Sequence, residues 1–482
     1  MTHTSELKKI FLMLSVVASA PVLTAQTATE ADAAAAEARK APRNRALQLK
    51  AGKALSEEGR FAEAIPFFLK GPAEGNLGAA EASFYIYDFD NADTYLERYT
   101  DKRTREQEEK DRNFSWHPSG EATDWTEYLS GRIEMGRSML DRVEKIQVID
   151  SVNIPLDAVA EYIRLSGSAG SVVHPSAVGR VVSDETLGQL GLDDITGTAY
   201  VPESGNEIMW TGTDAEGFST MYESYRLADG SWDAPVKLFN YESIFGSPEG
   251  TTVTSPFLMS DGVTLYFAAD GAESLGGLDL FVSRRDDDRF LQPSNLGMPY
   301  NSPYNDYLYA VDEETGAGFW ISDRNQIPDT VTLYTFIPSE LRVNYPTDIP
   351  GLTSYARLSS IKDTQDPEKD YAPLRRRLAS LAQGESRGTR SSARDFTFAL
   401  PDGRIAHRLS DFRAPLARKA MEEYLDARRR LGSMQEELAG LRARYAKGDH
   451  SVSGAILSLE QKTEAMRASL TDLSNAVVTA EH

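Results

Sequence analysis

The sequence predicts a multidomain α and β protein: N-terminal α-helical hairpins, a central β region and a C-terminal antiparallel helical hairpin or coiled coil. Three observations carry this. Between Leu47 and Tyr99, small and aromatic residues recur at helical spacing. Between Thr254 and Phe336, short apolar runs (Leu265–Ala268, Leu280–Ser283, Leu308–Val311, Gly318–Ile321, Val331–Phe336) are separated by Asp-Gly, Gly-Gly and Pro-containing turns, the punctuation of successive hairpins. From Ala417 to Val477, apolar residues repeat in steps of three and four.

Composition sets the bounds. A chain of 482 residues is too long for one ordinary core, so two to four domains are expected. A formal charge of −22 argues against nucleic acid or an anionic membrane surface as partner, because both would be repelled. The absence of cysteine excludes disulfides, thiolate nucleophiles and Cys-type zinc sites. No cofactor is expected.

Residues 1–25 read as an export signal. Lys8 and Lys9 precede the apolar run Ile10–Val17, and Leu23-Thr24-Ala25 offers a cleavage site with a mature start at Gln26. No other segment has the roughly 18 apolar residues of a membrane span, so the expected location is periplasmic or outer-membrane-associated. Residues 26–45 are rich in Ala, Glu and Arg and read as a flexible lead-in.

Residues 46–145 read as helical. Ala51, Leu55, Gly59, Phe61, Ala64, Phe67 and Phe68 place small residues where helices approach and aromatics where they fill the groove. About thirty residues on, Ala79, Ala82, Tyr87, Asp88, Phe89, Ala92 and Tyr95 repeat the pattern. Gly59-Arg60-Phe61-Ala62-Glu63-Ala64 and, with Asp for Gly, Asp88-Phe89-Asp90-Asn91-Ala92 resemble the core of the tetratricopeptide repeat. That resemblance implies stacked helical hairpins that hold partner proteins. A third helix over Asp124–Val143 caps the stack, and residues 100–123 form a linker loop. Asp88, Asp90 and Asp93 do not make a calcium loop, because the fifth and sixth positions are Ala92 and Asp93 rather than an oxygen ligand and Gly.

From Ile146 the period becomes alternating. Glu207–Trp210, Thr264–Phe267 and Ala317–Trp320 align with one another, as do Met221–Leu227, Leu278–Arg284 and Val331–Phe336, at a spacing of about 53–58 residues. Pro256-Phe257-Leu258, Ser260-Asp261-Gly262, Leu265-Tyr266-Phe267-Ala268 and Gly276-Gly277-x-Asp279-Leu280-Phe281 resemble the TolB-type, WD40-like repeat. The resemblance implies a β-propeller over residues 146–410. With Arg342–Arg357 and the hairpin Asp395–Leu409 counted as strands, six blades are expected, with five as the alternative. Residues 370–394 read as a helical insertion. Gly384-Glu385-Ser386-Arg387-Gly388 matches the nucleophile-elbow pattern by spacing alone, without the buried strand and packed helix that chemistry needs.

Residues 411–482 carry two heptad seams, Ala417 to Tyr445 and Ile456 to Val477, which fold back as a hairpin and also offer a face for oligomerisation.

The expected function is a non-catalytic protein–protein interaction or scaffold protein of a Gram-negative cell envelope, with other envelope proteins as partners. The order of parts resembles envelope proteins that join tetratricopeptide repeats to a TolB-like propeller. In several of those an OmpA-like, peptidoglycan-gripping domain follows; residues 411–482 read as the hairpin instead, so direct peptidoglycan anchoring is not expected. The candidate partner or ligand surface comprises Phe61, Tyr87, Trp210, Tyr266 and Trp320. The alternatives are a propeller-based glycan or small-molecule binding protein, or a hydrolase or lyase drawing on Asp261, Asp270, Asp279, Asp306 and Asp323, each of which a turn also explains.

Overall fold

The computed structural model describes residues 29–112, 124–215, 218–227, 231–239, 252–271, 273–286, 289–327, 329–339, 341–382, 398–399, 405–406, 409, 412–446 and 450–481. The expected export signal and the Gly384–Gly388 motif lie outside them. The chain divides into two compact units, one made of residues 1–225 and 234–382, the other of residues 383–482 with 226–233.

The first unit begins with helices α1 (Glu30–Lys40), α2 (Arg45–Glu57), α3 (Phe61–Phe68), α4 (Gly75–Tyr85) and α5 (Phe89–Lys102), each packed on the next, then α6 (Arg105–Arg112) and α7 (Trp125–Leu140). The lead-in expected over residues 26–45 is therefore largely a helix. Thr29 and Asp32 close a reciprocal capping box, and Ala31, Ala34, Ala35 and Ala38 are buried. An all-alanine stripe offers little apolar area but lets a neighbouring helix come close, and Gln48 Nε2 donates to Ala38 O at 2.7 Å. The linker expected over 100–123 also contains a helix, α6. Thr104 and Gln107 cap it reciprocally, and its Asp111 is buried against Tyr99 Oη and Arg103.

The helical repeat holds with its register moved by one residue. Gly59 ends α2 at φ 71°, with Arg60 N donating to Leu55 O and Gly59 N to Ser56 O. Asp88 N to Ser83 O and Tyr87 N to Phe84 O repeat that pattern after α4. Tyr87, at φ 64°, thus stands where the first repeat has glycine, and Asp88 caps α5 instead. Asp90 and Asp93 both hold Arg137 of α7.

The described residues of the first unit form three antiparallel sheets, none closed on itself. Sheet I contains β2 (Ser171–Val173), β3 (Asp194–Val201), β4 (Glu207–Thr213), β5 (Ser219–Tyr225) and β6 (Val236–Lys237) in that order. Sheet II contains β7 (Thr252–Leu258), β8 (Thr264–Asp270), β9 (Asp279–Asp286), β10 (Arg289–Phe290) and β11 (Ser294–Asn295), the last two both paired with β9. Sheet III contains β12 (Asp306–Asp312), β13 (Ala317–Ser322) and β14 (Thr330–Ile337), completed by β1 (Gln147–Pro155), which pairs antiparallel with β14. The first strand of the region is thereby fastened to the last.

The aligned aromatic positions prove equivalent in register. Trp210 lies opposite Tyr222, Phe267 opposite Phe281 and Trp320 opposite Tyr334. Their rings stack at centroid separations of 4.8, 6.0 and 4.6 Å. One hydrophobic core spans the sheets, with Tyr200 and Met209 from sheet I, Phe257 and Phe281 from sheet II, and Phe319 and Leu333 from sheet III.

Three sheets stand where six blades, or five, were expected. Arg342–Arg357 adds no strand beyond the isolated bridge Glu144–Asn344. Pro346 and Pro350 interrupt its alternation, Leu341 is 76% exposed, and Leu352–Arg357 is helical. The expected insertion contains a helix at Ala372–Ala382.

In the second unit, Phe398–Ala399 and Ile405–Ala406 pair as a two-stranded ladder, the core of the expected hairpin, and join none of the three sheets. Two long helices follow, Pro415–Ala446 and Ser453–Glu481. The second runs back along the first, because Glu481 accepts from Arg413 N and Ala414 N at 2.9 and 3.1 Å. Ala417, Ala427, Leu438, Leu459, Thr463 and Val477 of the expected seams are buried. No described helix is long and apolar enough to cross a membrane.

Candidate functional site

The five residues expected at a partner or ligand surface occupy different places. Trp210 and Trp320 are 0% exposed and form the aromatic pairs described above, so they are core and present no surface. An aromatic on the middle strand of a sheet earns its burial by packing on the next strand, which is why the repeat keeps it. Tyr266 is half-buried against Tyr309, at 4.5 Å. Tyr87 is buried between Phe89 and the Arg357 guanidinium. Phe61 is half-buried and stacks on Tyr85, which in turn meets Tyr304 of the loop before β12. This column of three rings joins the helical layer to the sheets. Arg132 of α7 adds to the joint by donating to the carbonyl oxygens of Gly271 and Gly276.

The carboxylates offered as chemistry are engaged in holding loops. Asp261 Oδ1 accepts from Val263 N and Thr264 N, both at 2.8 Å, fixing the Ser-Asp-Gly turn. Asp279 accepts from Leu275 N, Gly276 N and Asn295 Nδ2; burial, with nearby Asp306 adding to it, pushes its carboxyl up to about 7. Asp306 accepts from Ser302 N and Oγ and from Arg324. Asp323 accepts from Asn305 N, Asn305 Nδ2 and Tyr307 Oη. Asp270, buried beside Arg132, is pushed up to about 6. Among the described residues no group of three or more His, Asp or Glu side chains is placed to hold a metal ion.

A cavity of about 880 Å³ opens between the three sheets. Its walls come from the first long strand of each: β3, β7 and β12, with β5 and the segment 155–160 after β1. Each of these first strands carries a register shift there, at Thr196/Tyr200, Thr254/Phe257 and Asp306/Leu308. A bulge turns side chains away from strict alternation, and the shifts in β3 and β7 bring small hydroxyl residues to the cavity, while the shift in β12 brings Tyr307 and Leu308. Gly197 (φ 68°) and Ser255 (φ 56°) take left-handed backbone at two of them. Gly197 sits so close to β7 that a Cβ would come within 2.2 Å of Thr254 Oγ1. Thr196, Thr213 and Ser219 form a hydroxyl chain with steps of 2.6 and 2.8 Å. Thr198 lines the cavity and is 7% exposed; its Oγ1 has no hydrogen-bond partner among the described residues. The exposed lining residues include the apolar Pro155 and Leu156 and three polar or charged ones, Asp157, Asp329 and His174. His174 Nδ1 accepts from Ser176 N, so in its neutral form the proton sits on Nε2, which is a donor.

Family models, characterised proteins and solved structures were compared with the chain, and none matches it.

None of the five expected residues lines this cavity. The residues that do were passed over because Thr and Ser in strands read as ordinary β-formers. The available signal was Thr196-Gly197-Thr198 beside Thr252-Val253-Thr254-Ser255: small, polar and glycine-containing stretches at corresponding places ahead of aligned strands.

Proposed function

We propose that this chain is a non-catalytic interaction protein of a Gram-negative envelope, with tetratricopeptide-like hairpins and a TolB-type, propeller-like body offering surfaces to other envelope proteins. In this reading each sheet is a blade, β1 closes the ring by completing the last one, and residues 1–25 direct export. Self-association through the C-terminal helices belongs to the same proposal.

The observation that carries it is the use of the carboxylates. Four of the five acids that a hydrolase or lyase could draw on are taken up by fixed donors, some in their own turns and others from a neighbouring segment, as with Arg324 to Asp306 and Asn305 to Asp323. An acid already accepting several fixed hydrogen bonds is a poor general base, because those bonds favour its ionised form and occupy lone pairs that a substrate proton would need. The ring column Phe61–Tyr85–Tyr304 supports the same reading, since it fixes the helices on the sheets as one presenting surface.

The test is capture of partners by the full-length chain from envelope extract, with mass spectrometry, repeated with Phe61→Ala. A stoichiometric envelope partner retained by the parent chain is expected. Reproducible turnover of a peptide or glycan library, abolished by Asp270→Asn, would overturn the proposal.

A further inference from the structure

The geometry points to a second capacity, separate from protein binding: the cavity between the sheets is a site for a neutral, hydroxyl-rich ligand of the size of a short oligosaccharide. Its volume of about 880 Å³ falls in the range that encloses such a molecule. Six hydroxyl residues line it, Thr196, Thr198, Ser219, Thr252, Thr254 and Ser255, each able both to donate and to accept. A ligand whose own groups do both is the natural complement. The rest of the lining is mainly apolar, with Leu156, Val159, Ala160, Leu278 and Leu308 offering surfaces that suit the C–H faces of a sugar ring.

Charge narrows the class. Among the described residues neither Lys nor Arg lines the cavity, while Asp157 and Asp329 do so from exposed positions. An anionic ligand would meet two like charges and no counter-charge among them. Thr198 supplies a second, independent pointer. Its hydroxyl is buried without a partner among the described residues, and at the wall of a cavity such a group is accounted for by a ligand that meets it. The register shifts point the same way, since all three first strands give up regular pairing at this one place.

The experiment is isothermal titration of the full-length chain with chitotriose and maltotriose as neutral probes and trigalacturonic acid as the anionic one. At least one neutral trisaccharide should saturate a single site, with the anionic probe weaker by about tenfold or more. Thr198→Val, which keeps shape and removes the hydroxyl, should weaken binding by about fivefold or more at an unchanged or raised melting temperature. If that variant fails to fold, Thr196→Val reads the same wall. Replacing both Asp157 and Asp329 by Asn should narrow the gap between neutral and anionic probes. The inference fails if neither neutral sugar binds saturably up to about 10 mM. It fails equally if the anionic sugar binds as well as the neutral ones, or if the hydroxyl-free variant keeps the parent affinity. Such a failure would leave the capture of a protein partner untouched, so the two proposals stand or fall separately.

Discussion

Asp306 at the start of β12 and Arg324 beyond the end of β13 meet at 2.9 Å with side chains 0% and 3% exposed. The guanidinium also donates to Pro299 O at 2.7 Å and Tyr300 O at 2.6 Å, so it ties β12 to the loop that leads out of sheet II. Removing one member leaves a buried charge uncompensated. Arg324→Met should cost about 3–5 kcal/mol in urea unfolding. Adding Asp306→Asn should recover part of that loss, and strictly additive losses would show that the pair is not coupled.

The three stacked pairs make a prediction about equivalence. Trp210→Ala and Trp320→Ala remove rings from matching places in sheets I and III, and each should destabilise by about 3–5 kcal/mol. Trp320→Phe should cost clearly less than Trp320→Ala, because the indole Nε1 has no hydrogen-bond partner to lose among the described residues. Thermal melts of the three variants decide it; a mild Trp210→Ala beside a severe Trp320→Ala would show that the repeat is not energetically even.

Gly59 and Tyr87 close corresponding turns with different residues. Gly59→Ala should cost about 1–2 kcal/mol, since it forces a Cβ into left-handed backbone although space is free around it. Tyr87→Phe should be neutral or stabilising, because the Tyr87 hydroxyl is buried without a partner among the described residues. A loss above about 1 kcal/mol in that variant would mean that the hydroxyl is bonded in solution.

Glu207 gives a pH dependence. Burial pushes its carboxyl up to about 7; Arg285 opposes the shift and Glu223 adds to it. Between about pH 4 and 7 the folded chain therefore keeps a proton that the unfolded chain has released. The stability this proton contributes is complete below about pH 4 and is lost as pH rises through 7. Melting temperature should fall across that window, and Glu207→Gln should flatten the fall. An unchanged slope in the variant would assign the effect to other groups.

The sequence made the alternation of the β region readable because Trp210, Phe267 and Trp320 recur with their strand partners, and large aromatics leave a strong signal. Gly59 and the helical spacing around it marked the first helical turn just as clearly. What escaped reading was carried by small or two-faced residues. Ala31, Ala34, Ala35 and Ala38 pack by closeness rather than area, so a count of apolar surface passes over them. Thr104 and Gln107 cap a helix through two side chains inside a run of charges. Tyr87 hides a glycine position behind a bulky side chain, which moved the repeat by one residue. Leu341 and Val343 alternate as a strand would, yet stay exposed, because prolines downstream stop the ladder. The cavity was least legible of all. Its wall depends on where register slips, and slippage is a relation between strands that lie far apart in the chain.

The fastening of β1 to β14 bears on how the chain comes into being on the ribosome. Asn153 and Thr332 touch although they lie 179 positions apart in the sequence. At synthesis rates of about 5–20 residues per second, β1 waits on the order of ten to forty seconds for its partner to exist. Throughout that interval it is an unclaimed edge beside a growing β region, able to pair with the wrong neighbour. Its exposed middle, Asp150-Ser151-Val152-Asn153, is mostly polar, which makes that long wait less hazardous than an apolar strand would.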